Sequence, residues 1–120
     1  MQQYAILIYE STQDRSIRRE QGEAQRQVDA AYSAYTRALK EAGVLRGGEV
    51  LALPETATSL VARPGKRPLI QDGPYADTKE QLGGFYLIEA ADLDEALTWA
   101  ARCPAGRVEV RPIYTPEPPQ

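Results

Sequence analysis

The sequence predicts an α+β domain of ferredoxin-like type, βαββαβ, with an extra β-hairpin before its third core strand. Three observations carry this expectation. Two strand-like runs, "YAILIY" near the N-terminus and "GFYLIEA" late in the chain, are apolar on both faces. Two other segments repeat apolar residues at spacings of three and four, as helices do. The elements alternate as strand, helix, strand, hairpin, strand, helix, strand, and removing the hairpin leaves the split βαββαβ unit. A chain of 120 residues suits one domain, which we place at 1–113, followed by a Pro-rich tail, "YTPEPPQ", at 114–120.

Each element follows from its residues. In "QYAILIY", residues 3–9, Tyr4, Ile6 and Ile8 share one face and Ala5, Leu7 and Tyr9 the other, as in a strand covered on both sides. Residues 10–20 are polar, with Arg15, Arg18 and Arg19; they read as a solvated loop or helix start, with an anion patch as the functional alternative. From about Glu20 to Ala42, the stripe Val28, Tyr32, Tyr35, Leu39 and Ala42 predicts a helix that Gly43 ends. Each tyrosine hydroxyl buried there needs a partner. "VLRGGEVLAL" reads as the next strand, closed by Pro54. "TSLVAR" and "PLIQ" flank Pro64-Gly65, a turn pair, and form the hairpin. In "GFYLIEA", Phe85 and Leu87 oppose Tyr86 and Ile88. Asp92 and Glu95 make a capping-box pattern before a helix with the stripe Leu93, Ala96, Leu97 and Ala100, stopped by Pro104. "RVEVRPI" is the last strand.

Two helices cover only one face of such a sheet, yet its central strands are apolar on both. A second copy packed sheet to sheet is the natural cover, so a homodimer is expected.

Composition narrows the chemistry. Histidine is absent and cysteine occurs once, at Cys103. A catalytic triad with a His base, a His-ligated zinc site and a thiolate metal cage are therefore excluded. No metal and no cofactor are expected, and acid–base work would fall to Asp, Glu, Lys, Tyr or Cys. A net charge of −3 gives no expectation of nucleic-acid binding. No apolar stretch approaches the roughly 20 residues of a membrane span. With no basic leader either, a cytoplasmic location is expected.

The most individual stretch is "DGPYADTKEQLGGFYLIEAADLDEALTWAARCP", followed by "VEVRPI". Together with "YAILIY" and "EAGVLRGGEVLALPETATSL", it resembles the DGPF-type proteins of the YCII-related family across nearly the whole chain. Tyr75 stands where the family's name has Phe. The resemblance implies a dimeric ferredoxin-like α+β barrel and a biochemical role that is largely uncharacterised. Some YCII-like proteins are thought to use a His–Asp pair in a cleft of the barrel. Aligned on the helix end at Gly43, the histidine slot falls on Tyr32, so this chain lacks half of that pair. Association of the DGPF branch with sigma factors implies a regulatory link, which no residue here carries.

Asp72 is the candidate acid/base. Beside apolar neighbours at a strand end, it could accept a proton; as a corner residue, it would accept backbone N–H bonds before Gly73-Pro74. Turn aspartates are the commoner kind. Tyr32, Arg46 and Tyr75 are the candidate ligand contacts, Arg46 and Arg111 being cations an anion could meet. Asp77 and Glu80 suggest a short helical turn, and Lys79 an exposed cation. Gly83-Gly84 could admit a ligand or mark a bulge, the bulge being the commoner outcome. Cys103 lacks a base and is a poor nucleophile candidate. Function is expected to be small-molecule binding in a cleft of the dimer, in a regulatory setting. The alternatives are cofactor-free proton transfer by Asp72 with tyrosines, and a purely structural dimer.

Overall fold

The computed structural model describes residues 1–117, so the last three residues of the predicted tail lie outside it. The elements run β1 (Gln2–Glu10), α1 (Thr12–Glu20), α2 (Glu23–Glu41), β2 (Leu45–Val50), β3 (Thr58–Val61), β4 (Leu69–Asp72), β5 (Gln81–Ala90), α3 (Leu93–Ala101) and β6 (Arg107–Pro112). Four strands form one antiparallel sheet of order β2-β5-β1-β6, the ferredoxin-like arrangement. The predicted hairpin, β3–β4, stands apart as a two-stranded ribbon. Past β6, Ile113 is still tied to the sheet by its N–H to the Gln3 carbonyl at 2.8 Å.

Alternation in β1 sorts its side chains as the sequence requires. Tyr4, Ile6 and Ile8 are buried with Ile88, Ala90, Tyr35, Leu39, Ala96, Ala100 and Cys103 in one core. Ala5 and Leu7 point the other way, paired in register with Leu87 and Phe85. That core draws on no side chain from the Ala5–Leu7 face, and one chain closes no barrel. The molecule is accordingly a slab, 18 Å in its thinnest dimension.

The helices depart from expectation in three places. The Arg-rich segment is a helix of its own, α1, with a full capping box between Ser11 and Asp14 and a left-handed stop at Gln21. It carries no apolar stripe, and its buried side chain is polar: Arg15 donates to the carbonyls of Glu10 at 2.7 Å and Lys79 at 2.9 Å. All three arginines are committed within the chain, so they form no free anion patch; Arg15 and Arg18 are shielded from solvent, while Arg19 is exposed. Arg18 binds Glu10 and the Leu51 carbonyl, and Arg19 grips Glu55 through two bonds. That grip holds the Glu55 carboxyl down to about 2. In α3, Asp92 caps Glu95 as expected, but only Ala96 and Ala100 are buried, while Leu93 and Leu97 lie on the exposed flank. Asp77–Glu80 forms no helical turn. Thr78 Oγ1 bonds the Glu80 carbonyl, and the Gln81 amide bonds the carbonyls of Ala76 and Thr78.

Candidate functional site

Helix α2 buries only Tyr35 and Leu39, so its remaining inward flank stands off the sheet. Tyr35 is fixed by its hydroxyl, which donates to the Trp99 carbonyl at 2.8 Å, and by an edge-on contact with Tyr86. Where α2 stands off β2 and β5, a cleft of about 930 Å³ opens. A volume of this order is typical of ligand pockets.

The di-glycine sits on the cleft's margin and explains itself there. Between β1 and β5 the register runs Ile8 to Gly84 and then Tyr9 to Leu82, which leaves Gly83 as a bulge. A Cβ on Gly83 would collide with the Glu10 carboxylate, and one on Gly84 would come within 2.8 Å of the Glu49 carbonyl. Only glycine lets Glu10 lie across this strand and reach Arg18, at 2.6 Å. Both side chains of the pair are largely shielded from solvent, at 15% and 17% exposure. The ion pair fastens α1 to the end of β1.

Along α2, a polar stripe next to the apolar one faces the cleft: Gln25, Asp29, Ser33, Thr36, Arg37 and Lys40. Gln25 Nε2 donates to Asp29 at 2.8 Å, while its Oε1 is buried with no hydrogen-bond partner. Thr36 and Tyr86 share a hydroxyl–hydroxyl bond of 2.7 Å. Burial raises the Tyr32 hydroxyl far above its ordinary range, helped by nearby Cys103 and Tyr86. Tyr86 is raised by burial too, against the opposing pull of its Thr36 bond. Burial pushes the Cys103 thiol up to about 11, although nearby Tyr32 pulls the other way. These groups are neutral at neutral pH and so serve as hydrogen-bonding surface, not as proton acceptors. Arg37 and Lys40 have no ion pair or side-chain hydrogen bond among the described residues.

Of the four residues predicted as a site, the cleft contains one, Tyr32. Arg46 occupies a bulge in β2, and its guanidinium is spent on the Gly43 and Leu45 carbonyls and on Glu89. Asp72 is exposed at the end of β4, opposite Thr58, and Tyr75 beyond it is 89% exposed. The corner is held without the Asp72 carboxylate, which makes no hydrogen bond among the described residues. The Gly73 N–H bonds the Ala57 carbonyl at 2.7 Å, and Ser59 Oγ bonds the Gly73 carbonyl at 2.7 Å. Gly73 adopts φ +99°, a conformation that favours glycine, so backbone geometry makes the turn and the expected Asx bonds are absent.

Gln25, Asp29 and Glu10 escaped the sequence reading, and Arg18 was noted there only as part of the Arg-rich segment. The i, i+4 run of polar residues at 25, 29, 33 and 37 was the available signal, since a helix flank turned to solvent and one turned to a cleft read alike. Among the described residues, no group of three His, Cys, Asp or Glu side chains could hold a metal ion. No helix there is long and apolar enough to cross a membrane.

Comparison with known proteins identifies the family. An uncharacterised protein of Rhizobium meliloti (strain 1021) is 37% identical over 122 aligned positions, spanning 96% of this chain and 94% of that protein. The model of the YCII-related domain matches residues 2–116, and the chain belongs to the YCII-related family.

Proposed function

We propose that the protein is a small-molecule-binding module that works as a homodimer, with its ligand in the cleft between α2 and the β2–β5 side of the sheet. The observation that carries this reading is the orphaned Oε1 of Gln25, buried beside the cleft. An unpaired buried acceptor costs about 1–3 kcal/mol, which a ligand N–H or O–H would recover. Its Nε2 is held by exposed Asp29, so a small turn of the amide presents the oxygen to a ligand donor in the cleft.

The dimer is supported by shape. The radius of gyration is 16.9 Å, against about 14 Å for a compact chain of this length. The excess fits a slab and a ribbon that lack their cover. Packing two Ala5–Leu7–Phe85–Leu87 faces together would give the double-layered barrel that the family resemblance implies. A regulatory role, with a sigma factor as the linked partner, rests on that resemblance alone. Proton transfer by Asp72 would need one copy's ribbon to reach a cleft, because within a chain the residue stands outside it.

A metabolite screen by thermal stabilisation tests the binding role, since a ligand of the native state raises its melting temperature. Compounds that stabilise the wild type should do markedly less for Gln25→Ala, and their amide shifts should map to α2, β2 and β5. Hits that shift only residues remote from the cleft would refute the assignment. Sedimentation at micromolar concentration should give twice the chain mass.

A further inference from the structure

The cleft has chemically opposite ends. Helix α2 leads by a short turn into β2, so the two run antiparallel along its sides: Lys40 and Arg37 lie towards Leu45, and Gln25 and Asp29 towards Val50. At the Gln25 end, acceptors are in excess. Gln25 Oε1 has no donor, and among the described residues Asp29 takes only the Gln25 amide. The cation there, Arg18, is neutralised by Glu10 and bound to the Leu51 carbonyl. At the other end, Arg37 and Lys40 are unpaired cations among the described residues. Glu49 borders the cleft but pairs in register with Phe85, on the strand face turned away from Tyr86, so it does not offset them. Between the ends lie Tyr32 and the Thr36–Tyr86 hydroxyl pair.

Length selects the kind of molecule that could read both ends. Gln25 and Arg37 are about 18 Å apart along the helix axis, and Gln25 and Lys40 about 22 Å, at about 1.5 Å per residue. Six residues of extended peptide cover about 20 Å at about 3.3 Å each. β2 is moreover an edge strand, whose outer backbone groups pair with no other strand among the described residues. An extended chain alongside it could use those groups, as peptides do at sheet edges.

We propose that the cleft takes a short extended peptide with free ends, about six residues long. Its ammonium group meets Gln25 and Asp29, its carboxylate meets Arg37 and Lys40, and its direction is antiparallel to β2. This rests on the reading of the cleft as the binding site and specifies the ligand class.

The test uses the full chain and a hexapeptide of alternating valine and serine, free, N-acetylated or C-amidated, titrated by calorimetry with amide shifts recorded in parallel. The free peptide should bind, and each blocking group should weaken it about fivefold, the scale of one partly exposed ion pair. Asp29→Asn should erase the penalty for acetylation only, and the double variant Arg37→Ala/Lys40→Ala the penalty for amidation only. These three side chains are exposed, so circular dichroism should show the fold unchanged. Equal binding of free and blocked peptides would overturn the proposal. So would dodecanoate binding in the cleft where the peptides do not, an outcome that leaves the cleft as a binding site and changes its ligand. If neither peptides nor screened metabolites move any cleft resonance, both readings fall together.

Discussion

The helix-covered side of the sheet and the β3–β4 ribbon use similar side chains in opposite settings. Ile6, Leu39 and Ile88 are fully buried, whereas Leu60 and Ile70 in the ribbon are 60% and 64% exposed. A two-stranded ribbon is marginal by itself in water, so this one borrows its order from its surroundings. The Gly73–Ala57 bond closes it, and Arg15 pins the segment leading into β5 at Lys79. The ribbon ends in Asp72-Gly73-Pro74-Tyr75, the most recognisable letters of the chain, yet the cleft lies elsewhere among inconspicuous residues. Distinctive sequence and enclosed geometry are thus separated in this molecule. A motif at an exposed corner is better placed to meet another surface than to do chemistry in a pocket of its own chain.

The widest separation between the two regions should appear in core truncation. Leu39→Ala should cost about 2–5 kcal/mol in denaturant melts, because the residue is fully enclosed. Ile70→Ala should cost well under 1 kcal/mol if the ribbon is as uncovered as it stands here. A large loss at Ile70 that grows with protein concentration would show the ribbon packed against a second copy.

Next in size is Gly83→Ala. Its methyl group would collide with Glu10, so we expect a loss of about 1–3 kcal/mol from overpacking and from the displaced Glu10–Arg18 pair. Gly106→Ala, where the added carbon meets open space, is the control and should lie within about 0.5 kcal/mol of wild type. Equal effects at both glycines would mean that Glu10 is free to move aside.

A smaller effect should be visible in alkali. The Cys103 thiol has its folded value raised from 9.0 to about 11, so the fold favours the neutral form. Below pH 9 neither state has lost the proton and stability is flat from this source. As pH rises towards 11, the unfolded chain ionises first and stability falls. Raised Tyr32 and Tyr35 add to the decline only from about pH 10 upward. Melts of Cys103→Ala should therefore be flatter than wild type between pH 9 and 10, and native Cys103 should resist alkylation at pH 8. Rapid labelling would show that the core opens there.

Asp72 marks the bottom of the scale. Since its carboxylate makes no hydrogen bond among the described residues, Asp72→Asn and Asp72→Ala should both melt like the wild type. A loss of about 1 kcal/mol or more in the alanine variant alone would reveal backbone donors that need the side chain.

The strands and α2 were legible because their apolar periods are strong and the core uses them directly. Gly43 and Asp92 marked helix boundaries by local chemistry, and Pro64-Gly65 marked the ribbon's turn. α1 was not legible as a separate helix because its buried anchor, Arg15, satisfies the carbonyls of Glu10 and of distant Lys79 instead of filling an apolar stripe. The cleft was hidden for a different reason. It exists where α2 fails to touch the sheet and where Gly83 leaves room for Glu10, and absences of contact between remote segments leave no local period. Asp72 was conspicuous because Gly-Pro corners are rare words, but rarity fixed a turn and said nothing about enclosure.

The position of β1 has a consequence for the order of assembly. It precedes the other strands of the sheet and is one of its two central ones, and its partners are β5 and β6, which begin at Gln81 and Arg107. A nascent chain that has not reached Gln81 holds a hydrophobic strand with neither neighbour available, although α2 and the ribbon are already complete. Such long-range pairing slows folding and leaves the strand exposed while it waits. Chains halted before β5 should therefore be caught by chaperones or aggregate, and a circular permutant that begins at β5 should shorten that interval.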